Sequence, residues 1–138
     1  MANSQAAKIP TLIVDDQDDI RLLLRMVIDR ANHGLHVVGE ASSGSEALAA
    51  IDALNPMVVI MDEMMPGMTG LDTMSELRDR RPHQIVIICS AYLDDAIIAH
   101  ARSVGASGWL PKDQIRALPE LILNLVMASR QGLNGESN

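Results

Sequence analysis

Five apolar residues in a row, Met57-Val-Val-Ile-Met61, run into a single carboxylate, Asp62, and then into Pro66, Gly67 and Gly70. Such a run, without polar alternation, reads as a strand buried on both faces, as in a parallel sheet covered by helices. The proline and glycines that follow end the strand in a loop. A charge at the end of a buried strand is costly unless the site has a use for it. Ligands of open α/β sheets bind in the crevice beyond the carboxyl ends of the strands. Asp62 is therefore the candidate reacting group, and its partners are expected at the ends of other strands.

The rest of the chain alternates in the manner this requires. Thr11-Leu-Ile-Val14 is a short strand ending on Asp15-Asp16, and Ile20, Leu23, Leu24, Val27 and Ile28 have the spacing of an amphipathic helix over about 18–32. Asn32 and Gly34 stop that helix. Leu35–Ala41 is a second strand. Ser43-Gly-Ser-Glu46 has capping-box spacing and opens a helix that Asn55-Pro56 ends near Leu54. After the third strand, a helix over about 71–80 turns Leu71, Met74 and Leu77 inward. Ile85-Val-Ile-Ile88 forms a fourth strand ending on Ser90, and a helix over about 94–104 is capped by Gly105. A fifth strand over 107–111 leads straight to Lys112. Pro119 suits the first turn of a last helix running from about Leu118 to Arg130. Five β-α units imply a doubly wound parallel α/β sheet with helices on both faces, in the flavodoxin-like order 2-1-3-4-5. One domain over 9–130 is expected, with a disordered lead-in at 1–8 and a polar tail at 131–138.

Composition narrows the function. With 138 residues and 48% apolar content the chain can bury a real core. A net charge of −7 argues against direct binding to nucleic acid, which needs a basic stripe. Cys89 is the only cysteine, so no disulfide framework exists and a reducing, cytoplasmic setting is expected. No apolar run approaches the roughly 20 residues that span a bilayer, so no membrane partner is expected.

Asp15-Asp16, Asp62, Ser90 and Lys112 all stand at strand ends, which a doubly wound sheet gathers on one edge. Three carboxylates brought together repel, and a hard divalent cation relieves the repulsion. Mg²⁺ prefers one or two carboxylates with waters and phosphate oxygens. Carboxylate nucleophile, metal, lysine and hydroxyl together suit a phosphoryl group, whose transfer needs in-line positioning and charge neutralisation.

The combination of acidic pair, Asp62-x-x-Met65-Pro66-Gly67 loop, Ser90-Ala91 and Lys112 resembles the response-regulator receiver domain of two-component signalling, over about residues 9–130. The resemblance implies phosphorylation of Asp62 and an Mg²⁺ site made by Asp15, Asp16, Asp62 and the backbone carbonyl of Met64. It implies Ser90 as a switch hydroxyl, Lys112 as the counter-charge, and Trp109 in place of the usual switch tyrosine or phenylalanine. A sensor histidine kinase or histidine phosphotransfer protein would be the donor. Output or homodimerisation would use the face built from the fourth helix, fifth strand and fifth helix. Asp113 stands where the family often has a proline after the lysine. Met64 and Tyr92, two residues past Asp62 and Ser90, should tune dephosphorylation, and neither can orient water.

Each of these residues also has an ordinary reading. Asp16 alone could be a helix cap, Ser90 a loop hydroxyl and Lys112 a surface charge; Asp18 and Asp19 suit the first-turn dipole. Met57, Met61, Met64, Met65 and Met68 could offer Cu(I) soft thioethers, but methionine is also an adaptable core filler. Cys89 reads as inert packing, and His33, His36, His83 and His100 show no paired ligand spacing. Leu121-Ile-Leu-Asn-Leu-Val-Met127 is apolar on more than one face, so either its own chain covers the excess or it is an interface patch, and the interface is favoured. Two other functions remain in view. An Mg²⁺-dependent phosphohydrolase with an aspartyl nucleophile would need a second acid at Met64. A phosphorylation-independent binding module would have no use for the complete site.

Overall fold

The computed structural model describes residues 8–31 and 33–136. Within them run β1 (Ile9–Val14), α1 (Asp18–Ala31), β2 (Leu35–Ala41), α2 (Gly44–Leu54), β3 (Val58–Met61), α3 (Gly70–Arg80), β4 (Ile85–Ser90), α4 (Asp95–Ser103), β5 (Gly108–Pro111) and α5 (Leu118–Glu136). A 3₁₀ turn over Lys112–Ala117 joins β5 to α5. The expected lead-in up to residue 7, the Asn32 helix stop and the last two tail residues lie outside the described residues.

The five strands form one parallel sheet in the order β2-β1-β3-β4-β5. Successive side chains of a strand face opposite sides, and the core divides accordingly. Ile9, Ile13, Val58, Ile60, Ile85, Ile87 and Leu110 meet α1 and α5 through Leu24, Ile28, Leu118, Ile122 and Val126. Leu12, Val14, Val59, Met61, Val86 and Ile88 meet Leu48 and Ile51 of α2, Leu71, Met74 and Leu77 of α3, and Ala101 of α4. β3 and β4 are buried along their whole length, as their unbroken apolar runs require.

Several local expectations are corrected. β1 starts at Ile9, with Pro10 inside it. The Pro10 carbonyl accepts from the Met57 amide, so the missing proline N–H faces β3 just before that strand begins pairing at Val58. On α1, Leu23 is 43% exposed and Leu22 58%, so the buried stripe is narrower than the apolar spacing suggests. Ser43 caps α2 by accepting from the Glu46 amide, but Glu46 reaches back to the amide and hydroxyl of Ser42 rather than to Ser43. The reciprocal capping box occurs instead on α3, between Thr69 and Asp72. α5 continues past Arg130 to Glu136, with no proline to stop it. Within Leu121–Met127 of α5, Leu121, Leu123 and Leu125 pack on the core of the chain itself, while Met127 is well exposed.

Gly67 and Gly105 take positive φ, 79° and 89°, as the loop after β3 and the end of α4 require. Gly70 is constrained by space instead. A Cβ there would collide with the Asp62 carbonyl oxygen and lie 3.1 Å from Glu63 Cα, because the loop after β3 folds back on itself. Gly70→Ala should lower stability by about 1–3 kcal/mol through this overpacking. Urea melts should show a lower midpoint at unchanged slope. An unmoved midpoint would mean the loop yields at no cost.

Candidate functional site

Parallel register builds the site. Val14 is paired with Met61, and the Asp62 amide donates to the Val14 carbonyl at 2.9 Å, so the residue after β1 and the residue after β3 are neighbours. Asp15 is 1% exposed and Asp62 3%. Asp16 is exposed, and each of the three offers a carboxylate oxygen within 4.8 Å of the others. On the other flank Ser90 pairs with Pro111, which delivers Lys112 to the same edge. Its Nζ stands 2.8 Å from Asp15 Oδ2 and 3.3 Å from Asp62 Oδ1.

The electrostatics follow from burial. Removal from water, reinforced by the Asp15 charge, pushes the Asp62 carboxyl up to about 6, against the pull of Lys112 and the Met64 amide. Burial works against the Lys112 charge, but its close contact with Asp15 and the negative charges of Asp62 and Asp15 raise it overall. Asp15 Oδ1 accepts from the Gln17 amide at 2.9 Å. Its Oδ2, although near Lys112, is buried without an aligned hydrogen bond. A buried carboxylate oxygen lacking a directed partner, beside two further carboxylates, is a hard donor set that suits a divalent cation.

The other predicted residues divide. Ser90 is fully buried at the end of β4, its Oγ accepting from the Tyr92 amide at 3.4 Å. Met64 donates its amide to Asp62 Oδ1 at 3.2 Å while its side chain is 66% exposed, and Tyr92 is 67% exposed. Trp109 is half-buried on the α4 side of β5, with the Arg102 guanidinium 5.2 Å above its ring. The methionines scatter from core to solvent: Met61 and Met65 are buried and Met64 is not, which disperses the thioethers that Cu(I) would need together. Cys89 is buried, and burial pushes its thiol up to about 12, so it is inert.

Two residues near the site carry no motif and were not anticipated in these roles. Glu63 turns away from the cluster and accepts from the Leu71 amide at 2.8 Å, capping α3. Arg21 donates from Nη1 to the Asp15 carbonyl at 2.6 Å and also binds Asp18 and Glu40. The i, i+3 spacing of Asp18 and Arg21 was a signal for the local pair alone. A cavity of about 630 Å³ between α1 and α5, lined by Val27, Arg30, Arg116 and Leu123 among others, shares no residue with the cluster. The acidic cluster therefore lies at the carboxyl ends of the strands, apart from that cavity.

Comparison with known proteins agrees with this geometry. Residues 11–132 match the family model described as the response regulator receiver domain. The chain is 38% identical over 101 residues to the chemotaxis protein CheY of Thermotoga maritima, covering 73% of this chain and 82% of that one. It is 32% identical over 136 residues to the nitrate/nitrite response regulator protein NarL of Escherichia coli K12, covering 99% of this chain but only 59% of the longer relative. The signal receiver domain of NarL from Mycobacterium tuberculosis superposes with a TM-score of 0.79 at 31% identity, covering 86% of this chain and 95% of that one. No helix among the described residues is long and apolar enough to cross a membrane.

The raised carboxyl of Asp62 has a measurable consequence in metal-free protein. Unfolded, the group titrates near 3.8; folded, near 6. The fold thus holds this proton more tightly than the unfolded chain does, a contribution fully present below about pH 4 and lost as pH rises through about 6. Asp62→Asn, which cannot ionise, should be more stable than the parent by roughly 1–3 kcal/mol near neutral pH in chelator. The gap should close as the pH is lowered toward 4. Urea melts across that range measure it, and a gap independent of pH would exclude this cause.

Proposed function

The chain belongs to the response regulator receiver domain family, and from that premise we propose that it is the phosphoacceptor of a His-Asp two-component or phosphorelay system, with Asp62 as the phosphorylated residue. The observation that carries the reading is the buried Asp62 carboxylate, set beside Lys112, Asp15 and Asp16 at the carboxyl ends of the strands. An Asp62 oxygen attacks the phosphorus of a phosphohistidine on a sensor kinase or phosphotransfer protein. The P–N bond breaks, its electron pair returns to the imidazole nitrogen, and an acyl phosphate remains on Asp62.

Asp15, Asp16, Asp62 and the Met64 carbonyl would hold Mg²⁺, which when bound supplies charge neutralisation for phosphoryl oxygens. Lys112 binds and neutralises from the other flank. The Ser90 hydroxyl, buried one strand away, is the group that can donate to the new phosphoryl oxygen. The readout favoured here runs through Trp109 and α4 to the α4–β5–α5 face, for partner binding or homodimerisation. α4 supports this: of its nine residues only Ala101 is fully buried, so it is held weakly enough to shift.

A phosphohydrolase is the poorer reading. It would need a second acid two residues past the nucleophile, where Met64 stands, and the adjacent Glu63 is committed to capping α3. Exposed Met64 and Tyr92 also lack a carboxylate or amide to orient water. The phosphorylated protein should therefore keep its phosphoryl group for minutes or longer once a small phosphodonor is removed, as followed by intact mass. Asp62→Asn should take up none. Decay within seconds, or repeated turnover of a phosphomonoester, would revive the hydrolase.

Beryllofluoride with Mg²⁺ mimics the phosphoaspartate and tests the readout. It should change the emission of Trp109, the only tryptophan, and sedimentation run in parallel reports any dimer. Unchanged emission would remove Trp109 from the switch.

A further inference from the structure

We propose that Arg21 is a positioning residue for the acidic pair, clamping the turn after β1 so that Asp15 and Asp16 are presented to a divalent cation; this rests on the reading of that pair as the cation holder. The guanidinium uses every edge of its planar fork. Nη1 donates to the backbone carbonyl of Asp15 at 2.6 Å, Nε to Glu40 Oε1 at 2.9 Å, and Nη2 to Asp18 Oδ1. The side chain is only 14% exposed. Its anchor is itself anchored, since Glu40 Oε2 accepts from Arg25 Nε at 2.9 Å and from Arg25 Nη2 at 2.7 Å. One bond of the fork thus reaches the backbone of the metal-site turn, and the others tie it to β2 and α1.

Asp15 is consequently held from two directions. Arg21 fixes its carbonyl and the Gln17 amide fixes Oδ1, which leaves Oδ2 turned toward Lys112. Asp16 depends on the clamp more heavily. Its carboxylate has no hydrogen bond among the described residues, so only the backbone of the turn determines where it stands.

Charge and position make opposite predictions for Arg21. A guanidinium beside a cation site repels the cation, so if Arg21 acted by charge alone its removal would tighten binding. If it acts by position, removal weakens binding. A lysine would keep the charge and lose the planar fork, so it should not restore a positional role.

Titration calorimetry with MgCl₂ on the full chain decides the matter, using the parent, Arg21→Met, Arg21→Lys and Glu40→Gln, with thermal melts to check folding. Both Arg21 variants should bind Mg²⁺ at least about tenfold more weakly, the scale typical of losing a group that orients a metal ligand. The Gln17 amide should exchange with solvent faster in both, with metal absent. Glu40→Gln, which keeps Arg21 but weakens its anchor, should move in the same direction by less, and it carries the test if the Arg21 variants fail to fold. Parent-like or tighter binding by Arg21→Met, or full retention by Arg21→Lys, overturns the proposal while the cation reading stands. No Mg²⁺ uptake by the parent overturns both.

Discussion

Two carboxylates in a nearly dry interior with one ammonium between them is the condition on which the rest of this molecule depends. Asp15 and Asp62 are both almost wholly buried, and Lys112 meets both. A buried pair with one partner removed is far worse than the pair, so the lysine is as necessary to the resting fold as to any chemistry. Yet one positive charge cannot balance both carboxylates, and burial, reinforced by the Asp15 charge, still raises Asp62. That stored imbalance makes the edge receptive to further positive charge.

The sheet exists in the form that enforces this meeting. Parallel pairing of Val14 with Met61 puts Asp15 and Asp62 at one height, and the pairing of Ser90 with Pro111 brings Lys112 to the same end of the sheet. A slip of one residue in β1 would turn its buried set to the opposite face and carry Asp15 away from the edge. The long apolar runs of β3 and β4 are therefore site determinants as much as core: a slip would draw the polar residue at the end of a run, Asp62 or Ser90, out of its place at the sheet's carboxyl end.

This division explains what was legible beforehand. Strand identity and order followed from unbroken apolar runs and β-α alternation, and the gathering of Asp15, Asp62, Ser90 and Lys112 at one end of the sheet followed because each stands at the end of a strand. What escaped was local competition among short-range polar partners. Ser43 and Thr69 both precede an acid three residues on, and only the second closes a reciprocal box, because Glu46 finds Ser42 instead. Leu23 obeys helical spacing but is left out of a stripe whose width depends on how α1 lies on the sheet. The apolar excess of α5 was legible as excess, but its coverage by β5, where Gly108 lets Leu121 and Leu125 approach, needs tertiary structure to see. Arg21 was invisible as a site residue because its decisive acceptor is a backbone carbonyl, and any residue type can supply one.

The two faces of β5 show how a charge event at the edge can be felt elsewhere. Leu110 faces the α5 side, in the cluster with Ile115, Leu118 and Ile122, and is held there by a dense apolar core. Trp109 faces the other side, half-buried beneath Arg102 and next to a helix with one fully buried residue. Lys112 follows this strand directly. A displacement of Lys112 would be resisted on the α5 side, where dispersion contacts are many and interdigitated. On the α4 side it meets a cation–π contact and a lightly packed helix, which cost far less to rearrange. The asymmetry of packing about one short edge strand thus gives any displacement of Lys112 a preferred direction of travel.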